Sequence, residues 1–300
     1  MKKEATFIIL AGILWGSISI FVKNLSALGF ESIEIVGLRV WFSAITVFVF
    51  LLVKNYKLLI INFRDLWLFF GTGVLSIVFF NYCYFRAINE SSVSVAALLL
   101  YTAPAIVMIL SIPILHEKIT KRKICSLIIV CLGLMFVTGV LSSGDRISLK
   151  AIFIGLGSGF GYSLYSIFGK FLVKKYNSYT ITAYTFIVAS IGILPFISSI
   201  SIAKRMMDTK VLFYSLGIAI FCTVLPFFFY TIGLEKIESG KASIIATVEP
   251  LVATLIGIVI YKENISISKI IGIVLIFLSI VILNINVKNI SKMKSNYIEK

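Results

Sequence analysis

The chain is 300 residues long, 59% hydrophobic and only 14% charged, with a mean hydropathy of +1.05; soluble domains run at roughly 45–50% apolar and about 25% charged. Too few charges exist to solvate a soluble surface, so the composition reads as a polytopic membrane protein with no separate soluble domain. The formal charge of +15 does not imply nucleic acid, because the lysines and arginines are strung between apolar runs instead of gathered on one domain.

A spanning helix needs about 20 mostly apolar residues. Ten such runs follow one another, near residues 6–22, 33–53, 66–86, 93–115, 124–141, 150–170, 179–200, 211–233, 242–261 and 267–287. The first run follows two lysines but no convincing small-residue cleavage site follows it, so it reads as a retained span. It places Trp15 and Ser19 four residues apart, with Gly12 and Gly16 for close helix contact. The second carries Arg39, deep enough to need a carboxylate, backbone carbonyls or a substrate carboxylate; structural pairing is the expectation. The third sets Asn81 and Tyr84 on a face with Ile77 and Ile88, and the fourth aligns Ser94, Ala97 and Tyr101 before Pro104.

The sixth run has Ser158, Tyr162, Tyr165, Ser166 and Gly169 on one face, with Gly155, Gly157, Gly159 and Gly161 for packing. Lys170 at its end is expected to snorkel to the surface beside Lys174 and Lys175. The eighth adds Thr223, Pro226 and Tyr230. The ninth carries Glu249 near mid-membrane, just before Pro250, whose ring removes a backbone hydrogen bond. A carboxylate in that position is a candidate proton carrier or a counter-ion for an ammonium group; a structural acid bonded to a neighbouring helix or to Arg39 is the alternative. The fifth and tenth runs show no substrate logic, and the tail from 288 to 300 reads as a basic, membrane-facing segment.

Residues 87–117 recur at 233–263 at a constant offset of 146, which lays Pro104 on Pro250, Ala96 on Ala242 and Glu117 on Glu263. A duplication is the simplest cause, with halves 1–147 and 148–300. Five spans per half is an odd number, so the second copy is inverted, and the predicted fold is all-α: ten transmembrane helices as two inverted five-helix repeats. Such a build has two nearly equivalent packings around a midplane site, and the paired breaks at Pro104 and Pro250 point to that site. With both ends cytoplasmic, the inner segments hold 17 of the 28 lysines and arginines and the outer loops 9, which supports that orientation in a cell membrane. The loop with Lys204, Arg205 and Lys210 runs against the rule.

Cys83, Cys125, Cys131 and Cys222 lie in apolar stretches without metal spacing and read as buried thiols. The single histidine, His116, falls in a loop, and neither a nucleophile with a base nor an ATPase motif is present. An enzyme, a metal site and a cofactor are therefore not expected.

The chain resembles the drug/metabolite transporter superfamily, in particular its ten-helix EamA-like branch. The resemblance rests on Trp15-Gly16-Ser17, Arg39, Thr102-Ala103-Pro104, Glu117, Val248-Glu249-Pro250 and Glu263. GSGFGYS at 157–163 departs from the Trp-Gly-Ser pattern of the first half. The resemblance implies a secondary transporter of small metabolites, commonly an exporter of amino acids, with a central cavity lined from both halves. The candidate lining is Trp15, Ser19, Asn81, Tyr84, Tyr101, Tyr162, Tyr165, Ser166, Thr223, Tyr230 and Glu249, aromatic and hydroxyl-bearing, with Glu249 the candidate coupling residue. Interfacial anchoring is the competing role for tyrosines, better suited to Tyr56, Tyr176 and Tyr261. Expected partners are a small-molecule substrate, the lipid bilayer and protons. Export of cationic drugs, or a channel or receptor-like protein, remain the alternatives.

Overall fold

The computed structural model describes residues 3–140, 148–197, 202, 205, 206 and 208–284. Among these, regular structure is entirely helical. Ten principal helices run in chain order: α1 (Lys3–Ala27), α2 (Ser32–Asn55), α3 (Phe63–Glu90), α4 (Val93–Leu115), α5 (Lys121–Thr138), α6 (Leu149–Leu172), α7 (Ser178–Gly192), α8 (Thr209–Lys236), α9 (Ser239–Val259) and α10 (Ile267–Asn284). Eight are long and apolar enough to cross a membrane. The other two have visible reasons for falling short. α5 opens on Lys121-Arg122-Lys123, and α7 gives way after Gly192 to a 3-10 turn, Leu194–Phe196, around Pro195. The seventh span therefore ends earlier than its hydropathy suggests. The tail from 288 to 300, residue 141 and residues 285–287 lie outside the described residues.

Side-chain caps start several helices: Ser92 accepts from the Val95 N–H at 3.3 Å, Thr120 from Lys123 at 3.3 Å, Ser148 from Ala151 at 3.1 Å. Each satisfies a donor that the first helical turn leaves open.

The repeat is legible in the irregularities. α4 breaks after Val93–Leu100 at Tyr101–Thr102, and α9 breaks after Ser239–Ala246 at Thr247; an offset of 146 superposes the two first pieces. Both helices end on a left-handed residue, His116 and Lys262, each at φ 55°. In both, the next N–H turns back to the helix: Glu117 donates to Ser111 O and Glu263 to Gly257 O, each at 3.1 Å. α3 and α8 widen into π-helical turns, Gly71–Val78 and Ile220–Val224, which overlap at the same offset. These are two copies of one five-helix design.

Helices α1, α3, α6, α8 and the first piece of α9 share the central core, which includes Ile8, Trp15, Ile77, Phe80, Tyr165, Phe227, Tyr230 and Ile244. α5 and α10 form a separate pair, through Val130, Leu134, Ile276 and Ile280. α1 seats on the break of α9, and α6 on the break of α4. A Cβ at Gly16 would lie 2.6 Å from Glu249 O, and one at Gly159 would lie 2.6 Å from Thr102 Oγ1. Only glycine allows these approaches. Large apolar side chains such as Val53, Phe153, Phe213 and Phe277 are exposed, as helices facing lipid require.

Candidate functional site

The break in α9 places Glu249 in the first turn of the segment Val248–Val259, where the open N–H groups and the helix dipole favour an anion. Tyr162 of α6 donates its hydroxyl to Glu249 Oε2 at 3.0 Å. Around this pair stands a cage of rings from four helices. Trp15 lies 5.0 Å from Phe227, 5.4 Å from Tyr230 and 6.4 Å from Tyr162 between ring centres. Phe80 meets Tyr162 edge-on at 5.5 Å, and Tyr165 meets Phe227 at 4.8 Å. The phenols are tied below: Ser166 with Tyr230 and Tyr165 with Thr231, both at 2.7 Å.

The cage is closed. A cavity of about 10 Å³ remains between Trp15, Ser76, Ile77, Phe80, Tyr162, Tyr165, Ser166, Phe227 and Tyr230, room for no more than a water molecule. Any larger occupant requires these rings to part.

Arg39 is buried, at 7% exposure, its Nε has no partner, and no ion pair reaches it among the described residues. This corrects the expectation of structural pairing. Glu249 lies within electrostatic range of it, without a contact ion pair.

The structure brings Trp15, Tyr162, Tyr165, Ser166, Tyr230 and Glu249 together. Others serve their own helices. Thr223 donates to Ile218 O at 2.9 Å inside the π-turn, and Asn81 to Ile77 O at 2.7 Å. Ser19 has a buried, unpartnered Oγ, while its carbonyl accepts from Tyr261. Tyr84, against the rim of the central core, and Tyr101, against the α5–α10 pair, stand apart from the ring cage but both lie within electrostatic range of Glu249. Pro104 and Pro250 each follow a break. Lys170 does not snorkel: its ammonium binds the carbonyls of Leu234 at 2.5 Å and Ile237 at 2.8 Å, closing the end of α8. Cys125 is exposed, so not every thiol is buried.

Phe80, Phe227 and Ser76 belong to the cage and were not singled out from sequence. Phe227 lies three residues before Tyr230 and Phe80 four after Ser76, so helical spacing carried the signal; in a Phe-rich chain it did not stand out. Among the described residues, no cluster of three or more His, Cys, Asp or Glu is placed to hold a metal.

Inverted repeats, paired helix breaks and a closed aromatic cage between helices of both repeats are the build of a membrane transporter. The sequence matches the EamA-like transporter family over residues 2–139 and 149–285, and the chain belongs to that family. It is 27% identical to an uncharacterized transporter of Archaeoglobus fulgidus, over 91% of this chain and 93% of that one. It is 25% identical to one of Clostridium kluyveri, over 94% and 93%. The uncharacterized inner membrane transporter YicL of Salmonella typhimurium is 21% identical over 95% and 96%. A solved crystal structure shares the fold, with a TM-score of 0.79 at 14% identity over 95% of this chain and 97% of that one.

Proposed function

We propose that this transporter is a secondary carrier that exports amino acids or closely related zwitterions by alternating access, with protons as the coupling ion. The observation that carries the reading is the Glu249–Tyr162 pair at the break of α9, under the aromatic cage. An ammonium group is the natural partner of that carboxylate, and the ring faces add cation–π attraction. Arg39, buried and with no hydrogen-bond partner at Nε, supplies the complementary charge for a carboxylate.

The orientation proposed puts the face where α1 begins and α10 ends in the cytoplasm of a cell (plasma) membrane. The charge distribution supports this. The basic loop that runs against the rule is partly neutralised: Arg205 pairs with Glu34, donates to Gly29 O at 2.7 Å and lies 4.1 Å above the Phe30 ring. The halves proposed for the two repeats are 1–147 and 148–300.

Efflux of labelled amino acids from proteoliposomes carrying an imposed proton gradient tests the reading. Saturable, gradient-dependent zwitterion efflux supports it; movement of organic cations alone would favour the second reading. That reading, export of cationic drugs, draws on the same acid and cage but leaves Arg39 without a role.

A further inference from the structure

The two ends of the molecule differ where the repeat demands that they correspond. At the face where α4 ends, Glu117 reaches across to the other repeat. Its Oε1 accepts from the Ser239 N–H at 2.5 Å and its Oε2 from the Gly240 N–H at 3.1 Å, closing the N-terminus of α9. Lys123 braces the contact, 3.6 Å from Glu117 Oε2 and 2.6 Å from Glu238 Oε2. The Glu117 side chain is 6% exposed, and the first piece of α9 packs along the second piece of α4.

At the opposite face the equivalent residues are present but apart. Glu263 corresponds to Glu117, Lys269 to Lys123, and the N–H groups of Val93 and Ser94 to those of Ser239 and Gly240, all at the offset of 146. Among the described residues the Glu263 carboxylate binds only its brace, Lys269, at 3.0 Å, and its side chain is 47% exposed. Val93 is 61% exposed, and neither its N–H nor that of Ser94 meets an acceptor among the described residues. The first piece of α4 makes no comparable contact with the second piece of α9. Glu263 instead folds back over Gly257, its Oε2 2.8 Å from where a Cβ would stand.

We propose that Glu117 and Glu263 are alternating latches: each carboxylate shuts its own face by capping the broken helix of the opposite repeat, and the two faces are never latched together. The structure is then the form latched at the Glu117 face. The other form has Glu263 on Val93 and Ser94, with Glu117 released to Lys123. A carboxylate suits the task, because a charge-assisted bond to two N–H groups at a helix start is strong when formed and breaks without loss of charge when water returns. The latch extends the proposed alternating access, but its test needs no substrate.

Hydrogen exchange on the intact, detergent-solubilised chain, read at the first turns of α9 (239–242) and α4 (93–96), decides it. Glu117→Gln is expected to raise exchange at 239–242 by up to about tenfold and, reciprocally, to slow it at 93–96 by a smaller factor of about two to five. Loss of a mere helix cap would move only the near face. Glu263 is unlatched here, so Glu263→Gln should fold normally and slow exchange at 239–242, because the competing form loses its bond. This second variant keeps the test open if Glu117→Gln does not fold. Changes confined to the mutated face, or an unchanged 239–242 turn in Glu263→Gln, would overturn the proposal. Reciprocal exchange without amino-acid efflux would sustain the latches and remove the substrate reading alone.

Discussion

The breaks in α4 and α9 occupy one register and are followed by equivalent prolines, Pro104 and Pro250, yet the residue before the proline is Ala103 in one and Glu249 in the other. Each break receives a glycine of a partner helix, Gly159 against Thr102 and Gly16 against Glu249. The mechanical features of the duplication are kept in both halves, while the acid at the break sits in one. Symmetry serves the movement, which needs two equivalent packings; a binding site needs only one acid.

The largest effect should come from making the breaks alike. Ala103→Glu puts a second carboxylate beside α6 without a Tyr162 of its own, and should cost about 2.5–3.5 kcal/mol or more of folded stability. Its melting temperature in detergent reads this, and an unchanged value would show that the α4 break is as polar as that of α9. Next, Glu249→Gln should lower efflux by about 10- to 100-fold, the range for loss of a hydrogen-bonded charge, and abolish its response to the proton gradient. Full gradient-dependent transport by this variant would remove Glu249 from the coupling.

Gly159→Leu and Gly16→Leu should each destabilise by about 1–3 kcal/mol, as overpacking does, and by similar amounts if the two breaks are mechanically equivalent. Thermal melts of the pair measure that equivalence. The smallest difference concerns Tyr84 and Tyr230, related by the same offset. Tyr230→Phe loses the 2.7 Å bond to Ser166 and should cost about 1 kcal/mol. Tyr84→Phe should cost close to nothing, since no hydrogen bond to Tyr84 is seen among the described residues. Equal losses would mean that the tyrosine at this position does the same work in both halves.

Much of this comparison can be read along the chain. The offset of 146 predicts the paired breaks, and the structure places them, together with left-handed ends at His116 and Lys262 that no sequence rule flagged. Glu249, Tyr162, Trp15 and Tyr230 were legible because polar and aromatic side chains are conspicuous in an apolar span. Thr223 and Asn81 misled for a complementary reason: a hydroxyl or amide in a helix can be satisfied by a carbonyl of its own preceding turn, and spacing alone does not reveal it.

By itself the sequence determined the class, the ten helices and the register of the repeats. Backbone groups in hydrocarbon must be satisfied within each helix, so long apolar runs declare themselves locally. Which side chains face one another was decided only by the tertiary structure. Lipid is as apolar as the helix interfaces, so hydropathy does not mark the face that turns inward. The packing of helices from both repeats brings Phe80 and Phe227 into the cage, leaves the Arg39 Nε without a partner, and gives Glu117 a partner 122 residues away where, among the described residues, Glu263 has none across the repeat.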